Sequence, residues 1–222
     1  MGDFVTLTAA DGHSLSAYKA QAAGTPKGGV VVLQEIFGIN NHIQSVVDRF
    51  ANDGYTAIAP ALFDRVEKGV DLGYGEETMK QGLGLRGQLN WEQVTADTNA
   101  AAKDIAGAGK TGVVGFCFGG SAAWVAAEDS PVQAAVGWYG GQIHQEIGRQ
   151  PKCPVQLHFG TEDFSIPNEQ IDEIKAAHAD VPVYIYEGAG HGFNCDDRPS
   201  YHEGSAKLAY QRTLEFLGEH LG

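Results

Sequence analysis

The stretch of residues 113–121 constrains the fold more than any other, because it joins a strand to a helix through a bend that only small residues allow. Its sequence, VVGFCFGGS, ends an apolar strand, places Cys117 at a sharp turn and begins a helix. Gly115 and Gly119 flank the cysteine, since a Cβ at either position would collide with neighbouring backbone. The pattern G-x-C-x-G-G is that of a nucleophile elbow, which lifts its central residue above the edge of a sheet.

The turn also predicts a reactive sulfur at Cys117. The first amides of the following helix and the helix dipole point towards it, and both favour a thiolate over a thiol. The alternative is a buried core cysteine after a hydrophobic strand, which is a common place for a free cysteine. We favour the elbow, because the spacing of the glycines has no other evident purpose.

Strand-like and helix-like segments alternate along the rest of the chain. The predicted strands are residues 4–8, 14–19, 29–34, 55–59, 111–116, 134–139, 155–159 and 181–187. Helices are predicted after Asn40 or Asn41, over 91–108 and 119–127, from about Pro167, and over about 201–217. This alternation predicts an α/β fold with a mainly parallel sheet of about eight strands and helices on both faces.

Two further segments complete the predicted fold. Asp11-Gly12 is a hairpin turn signal between the first two strands, so an antiparallel hairpin is expected at one edge of the sheet. The glycine-rich stretch 61–90 is read as a short helix plus a loop that borders the active site, because long connections in compact domains are often functional.

Size and charge exclude several classes of function. The 222 residues are predicted to form one domain, 1–222, which is large enough to fold without disulfides. The net charge of −13 disfavours nucleic acids and anionic membranes as partners. No apolar run approaches the roughly 20 residues that span a bilayer, and no export signal is evident.

The three cysteines show no C-x-x-C spacing, so neither a disulfide framework nor a zinc ribbon is expected. We therefore predict a cytoplasmic protein with free thiols that uses no metal or cofactor. Its partner is expected to be a small-molecule lactone or ester, and the chain is expected to be a monomer or a weak homo-oligomer.

A nucleophilic cysteine needs a base, and the base needs an orienting acid. Asp163 and His191 follow two successive predicted strands, so both lie at the same sheet edge as Cys117. His191 is flanked by Gly190 and Gly192, which would let its ring press against the elbow; otherwise it is a histidine in a flexible turn. Asp163 could instead cap a helix or form an Asx turn, and Glu162 is the competing acid.

The loop after the first buried strand, Gln34-Glu35-Ile36-Phe37-Gly38, is the second candidate element. In this architecture such a loop supplies one oxyanion-hole amide, and the residue after the nucleophile supplies the other. We assign these donors to the backbone of Ile36 and Phe118. Glu35 lies between apolar residues, where a carboxylate costs free energy unless it is paired. It either faces Cys117 and manages the thiol proton or forms a structural ion pair.

Together these motifs resemble the dienelactone hydrolase family of α/β-hydrolases over nearly the whole chain. The segments are G-F-C-F-G-G, Q-E-I-F-G, G-x-x-D-x-x-x-P and G-x-x-H-G-F, in the order that the family shows. The resemblance implies that Cys117, Asp163 and His191 form a triad and that Glu35 interacts with the resting thiol. It implies hydrolysis of a lactone, the type reaction being the conversion of dienelactone to maleylacetate in the breakdown of chlorinated aromatics.

The resemblance also implies arginines that hold a substrate carboxylate. One is expected four residues after the histidine, where this chain has Cys195, and we assign its role to Arg198. The place of the second falls near Met79 and Lys80. Arg65 and Arg86 are the nearest candidates there, and each is expected to be a solvated surface charge.

Phe37 and Phe193 are further candidates for contact with the substrate. Other readings of the chain remain open. A hydrolase of the same fold could act on other small esters or thioesters, and a decayed scaffold could be a binding module without catalysis. A glutamine amidotransferase would carry H-x-E, whereas Gly-Phe follows His191. The histidines His144, His158 and His191 share no metal-ligand spacing.

Overall fold

The computed structural model describes residues 1–222 and contains one eight-stranded sheet. The strands are β1 (Asp3–Thr8), β2 (Ser14–Ala20), β3 (Gly29–Leu33), β4 (Thr56–Pro60), β5 (Thr111–Phe116), β6 (Ala134–Trp138), β7 (Val155–Gly160) and β8 (Val183–Tyr186). Their order across the sheet is β1-β2-β4-β3-β5-β6-β7-β8. Only the pairs β1–β2 and β2–β4 are antiparallel, which confirms the predicted mainly parallel sheet with an N-terminal hairpin.

Six α-helices accompany the strands. They are α1 (Asn41–Asn52), α2 (Glu76–Arg86), α3 (Trp91–Asp104), α4 (Phe118–Asp129), α5 (Asn168–Ala177) and α6 (Glu203–Leu221). Every residue of β3 to β7 is buried, so both faces of the central sheet are covered, as parallel strands require. No helix combines the length and the hydropathy that crossing a bilayer requires.

The ends of the helices follow local capping chemistry. The Asn40 side chain accepts a hydrogen bond from the Ile43 amide at the start of α1, as predicted. Pro167 lies one position before α5 instead of at its first residue, and α6 runs four residues further than expected, to Leu221 rather than Leu217. The predicted helix 91–108 divides into α3 and a 3-10 turn, Ala106–Ala108.

The parallel arrangement determines where chemistry can occur. Cys117 directly follows β5, Glu35 lies two residues after β3, and Asp163 lies three residues after β7. His191 follows β8 by five residues. Because the carboxyl ends of parallel strands meet at one edge, residues that are far apart in sequence gather there.

Candidate active site

The turn at Cys117 adopts a backbone conformation that L-residues rarely occupy. Its φ and ψ are 55° and −115°, and its amide donates to the carbonyl of Trp138 at 3.0 Å. A Cβ on Gly115 would lie 1.8 Å from the Gly119 oxygen, and one on Gly119 would lie 2.1 Å from the Leu33 oxygen. Glycine at both positions is therefore required for α4 to approach the sheet this closely, and the strain sits at the half-buried cysteine.

His191 and Asp163 form a direct hydrogen bond beside this cysteine. The Nδ1 atom of His191 lies 2.8 Å from Oδ2 of Asp163, and both side chains are buried. The other carboxylate oxygen of Asp163 accepts the Ser165 amide at 2.8 Å, so the acid makes an Asx turn as well. The two interpretations of Asp163 are compatible, because each uses a different oxygen. Glu162 is exposed and turned to solvent.

The surroundings of His191 favour its protonated form. Burial lowers the pKa of His191, but its charge and hydrogen-bond interactions with Cys117 and Asp163 outweigh burial and raise the pKa to about 10. The imidazole hydrogen-bonds the Asp163 carboxylate and lines the same cavity as the Cys117 sulfur.

Two backbone amides near the sulfur are available to a ligand. The Ile36 amide lies in a turn and donates no hydrogen bond within the protein. Phe118 is the first residue of α4, so its amide has no carbonyl one helical turn earlier to donate to. Both residues line the same cavity as Cys117. This arrangement is what the predicted oxyanion hole requires.

Glu35 is completely buried and makes hydrogen bonds away from the cysteine. Its carboxylate accepts the Tyr74 hydroxyl at 3.1 Å and the Arg198 guanidinium at 3.3 Å. No hydrogen bond joins Glu35 to Cys117 in this structure. The carboxylate thus has the ionic partner that its burial demands. Glu35 thus forms the ion pair of one interpretation. Its role with the Cys117 thiol stays a prediction, because Arg198 lines the cavity and is accessible to a ligand there.

A cavity of about 400 Å³ opens next to the sulfur. It is lined by Ile36, Phe37, Met79, Leu83, Arg86, Cys117, Phe118, Ser121, Gly141, Gln142, Phe164, Ser165, His191 and Arg198. Three of these residues come from α2, so the stretch 61–90 does border the site as expected. Phe37 lines the wall, as predicted.

The two candidate arginines of the 61–90 stretch behave differently from the expectation that both are solvated. Arg65 is half-buried, and its side chain bonds both oxygens of Asp97 at 2.8 Å and Asp11 at 2.8 Å, which ties α3 to the hairpin turn. Arg86 packs over the rings of Trp91 and Phe118, with its guanidinium carbon 4.4 Å and 4.7 Å from their centroids. Arg86 is one of the two candidates named from the sequence, but its place in the cavity wall does not follow from sequence spacing, which does not show which face of a helix meets a cavity.

The guanidinium of Arg86 has no carboxylate partner. It donates to the side chain of Gln142 at 3.1 Å and to the carbonyl of Leu89 at 2.8 Å. Burial lowers the pKa of Arg86, and the charge of Glu146, which forms no salt bridge with it, offsets this only in part. A half-buried cation without a salt-bridge partner in a cavity wall favours an anionic ligand.

Phe193 does not lie in the cavity wall, although we expected it to contact the substrate. Its side chain is completely buried and packs against the rings of Trp138, Tyr139 and Tyr186. Tyr139, which no sequence motif singled out, has its ring 5.2 Å from that of His191 and a φ of 38°. Tyr139 directly follows β6, which pairs with β5, the strand that leads to Cys117. This position is the signal that could have identified it as a residue of the site.

Two groups of side chains carry donor types that metal ions prefer. His144, His158 and His191 form no cluster of close ligand atoms, and they hydrogen-bond Glu173, Tyr186 and Asp163 respectively. Atoms of Glu35, His42 and Cys195 lie within 4.8 Å of one another. However, Arg198 already supplies a cation to Glu35, and burial raises the pKa of Cys195 to about 12. Both observations disfavour a bound cation there.

Comparison with known proteins identifies relatives over the whole fold. Residues 15–221 match the model of the dienelactone hydrolase family. A Yersinia pestis protein, provisionally named carboxymethylenebutenolidase, is 36% identical over 97% of this chain and 87% of its own length. The carboxymethylenebutenolidase of Pseudomonas putida is 31% identical over 96% of this chain and 94% of its own.

Solved structures show the same architecture. A provisionally named dienelactone hydrolase from Klebsiella pneumoniae superimposes with a TM-score of 0.83 at 30% identity, covering 98% of this chain and 100% of that chain. An esterase from Pyrococcus furiosus gives a TM-score of 0.73 at 15% identity, covering 100% of this chain and 93% of its own, which is a likeness of fold alone.

Proposed function

Because this chain belongs to the dienelactone hydrolase family of ester and lactone hydrolases, we propose that it opens a small lactone or ester by attack of the Cys117 sulfur. The observation that carries the proposal is that Cys117 and His191 line one cavity while His191 hydrogen-bonds Asp163. In that arrangement the histidine can exchange protons with the substrate while the acid fixes its ring.

The first half of the reaction forms a thioester. The thiolate of Cys117 attacks the carbonyl carbon, and the amides of Ile36 and Phe118 hold the oxyanion, each contributing typically ~3–4 kcal/mol. The carbon–oxygen bond of the ring then breaks. The leaving oxygen takes the proton of the His191 imidazolium as it departs, or departs first as a stabilised enolate that then takes this proton, so that His191 is neutral in either case.

The second half restores the enzyme. A water molecule loses a proton to the neutral His191 and attacks the thioester carbonyl, and the Cys117 thiolate leaves. Because sulfur is a good leaving group, the tetrahedral adduct goes on to the thioester only when the ring oxygen leaves more readily than the sulfur. An enol ester or activated ester meets this condition, and an ordinary amide does not.

The contact between Glu35 and Arg198 connects substrate binding to the thiol proton. While Arg198 is bonded to Glu35, the carboxylate is already paired with a cation. An acidic substrate that pairs with Arg198 would release Glu35 to accept the thiol proton of Cys117. Glu35 then promotes thiolate formation only when substrate is present, as the family resemblance implies.

Two cations in the cavity wall favour a substrate that carries a carboxylate, as dienelactone does. Arg198 and Arg86 both line the cavity, and Arg86 has no acidic partner. A bidentate arginine–carboxylate pair supplies both energy and orientation. Other small esters or thioesters are the alternative substrates of the same machinery.

The test is a panel of dienelactone, neutral aryl esters and thioesters assayed with the wild type and with Cys117→Ala. The variant is expected to lose turnover of every substrate and to keep the fold by circular dichroism. Full activity in Cys117→Ala would refute the nucleophile, and a folded wild type that hydrolyses nothing in the panel would support a binding module.

The carboxylate contact is tested with Arg86→Leu and with Arg198→Ala, each scored as the ratio of acidic to neutral substrate turnover. Arg198→Ala leaves Glu35 buried without its cation, so the double variant Arg198→Ala with Glu35→Gln is the matched control. A selective loss of acidic substrates is expected. An unchanged ratio in all these variants would remove the carboxylate from the proposal.

A further inference from the structure

The outer rim of the active-site cavity exposes large apolar side chains. Phe164 is 79% exposed and Leu83 is 56% exposed, and both line the cavity that contains Cys117. Met79, one helical turn before Leu83, lines it as well. A single exposed apolar residue is normal, but several around one cavity mark a surface that a ligand covers.

Both sides of this rim are fixed relative to the catalytic atoms. Phe164 directly follows Asp163, and its ring centroid lies 6.1 Å from that of His191. On the other side, a Cβ on Gly82 would lie 2.0 Å from the Ile36 oxygen, so α2 packs directly on the loop of the oxyanion hole. Met79 and Leu83 are four residues apart on α2 and share a helix face.

Cavity size also indicates a substrate larger than a bare ring. The volume of about 400 Å³ lies in the range of pockets that hold drug-sized ligands. The cations Arg86 and Arg198 and the sulfur occupy part of the wall, and the remaining entrance is apolar. A small unsubstituted lactone at the sulfur would leave Phe164 and Leu83 in water.

We propose, building on the lactone-opening function, that Met79, Leu83 and Phe164 bind an apolar arm of the substrate. The arm is attached to the carbon that carries the leaving oxygen. The carbonyl oxygen is directed to the amides of Ile36 and Phe118, whereas His191, which protonates the leaving oxygen, lies beside Phe164. The preferred substrates are therefore lactones and esters with an alkyl or aryl group on the leaving side.

The test uses enol γ-lactones that carry a straight alkyl or alkylidene chain of increasing length on the ring carbon bonded to the ring oxygen, so that the leaving group is an enolate. Each methylene transferred from water to an apolar contact is worth up to about fourfold in binding. In the wild type, kcat/KM is expected to rise about twofold to fourfold per methylene until the rim is covered. In Phe164→Ala and Leu83→Ala this dependence on chain length is expected to flatten.

Phe4→Ala and Leu208→Ala are matched controls, because both residues are exposed apolar side chains outside the cavity. They are expected to keep the wild-type dependence on chain length. The same dependence in Phe164→Ala and in Leu83→Ala would overturn the proposal, and so would its absence in the wild type.

Calorimetric binding of the same lactones to Cys117→Ala separates this proposal from the proposed function. Affinity is expected to increase with chain length in Cys117→Ala and to stop increasing when Phe164→Ala is added. If the wild type turned over no lactone while this binding pattern held, the catalytic proposal would fail and the apolar rim would stand. Binding that is independent of chain length would refute the rim regardless of turnover.

Discussion

The three cysteines of this chain show how strongly position alters one functional group. Cys117 lies at a helix N-terminus, half-buried and in contact with the His191 imidazole. Burial raises the pKa of Cys153 to about 11 and that of Cys195 to about 12. A thiolate is the reactive form of cysteine, so the three side chains differ in chemistry although their covalent structure is the same.

We therefore expect Cys117 to react with iodoacetamide at pH 7 at least tenfold faster than the other two cysteines. The reason is that burial raises the pKa of Cys153 and of Cys195, whereas the Cys117 sulfur opens onto the cavity at the start of α4. Peptide mass spectrometry after timed labelling measures the three rates separately. Equal rates at all three positions would contradict this assignment.

At the scale of the element, the junction of β5 and α4 depends on backbone contact. Gly119 approaches the carbonyl of Leu33 so closely that a Cβ would lie 2.1 Å from its oxygen. Backbone atoms cannot move aside as the end of a flexible side chain can. The position of α4, and with it the Phe118 amide, is thus set by the absence of a side chain at Gly119.

Gly119→Ala is expected to destabilise the fold by about 1–3 kcal/mol or more, because it overpacks backbone against backbone. Gly148→Ala is the matched control, since nothing lies within 4 Å of the Cβ that it would add. That variant should change stability by no more than about 0.5 kcal/mol. Urea unfolding of both proteins measures the difference, and a Gly119→Ala variant as stable as the wild type would show that the junction can relax.

At the scale of the whole molecule, stability is coupled to a buried neutral histidine. Burial, assisted by the charge of Arg212, lowers the pKa of His158 to about 3. Its ring nitrogens hydrogen-bond the Tyr186 hydroxyl at 2.8 Å and the Gln156 side chain at 3.0 Å. The unfolded chain, with a histidine pKa of about 6.5, therefore binds a proton that the folded chain rejects.

Because the unfolded chain binds the extra proton, the free energy of unfolding is expected to fall as the pH drops from about 6.5 towards 3. His158 alone contributes up to about 1.4 kcal/mol per pH unit to this fall. The measurement is urea unfolding across this range for the wild type and His158→Gln, in which this contribution should be absent. His144→Gln, a more exposed histidine beside Glu173, is the control. Parallel pH profiles for the wild type and His158→Gln would show that His158 does not carry the effect.

The features that depend on local pattern could be predicted from the amino-acid sequence. Apolar runs predicted the strands, the hairpin turn was readable from Asp11 and Gly12, and the glycine spacing placed Cys117 on a bend. The order of Cys117, Asp163 and His191 at strand ends was enough to bring them to one edge, because all parallel strands finish on the same side.

The contacts between side chains of different elements become known only from the three-dimensional packing. Three such features depend on how helices and loops pack on the sheet. They are the pairing of Glu35 with Arg198 and Tyr74, the stacking of Arg86 on Trp91 and Phe118, and the burial of Phe193. Strand and helix periodicity specifies the direction of a side chain relative to its own backbone. What lies in that direction is fixed by the packing of distant segments, which no local pattern encodes.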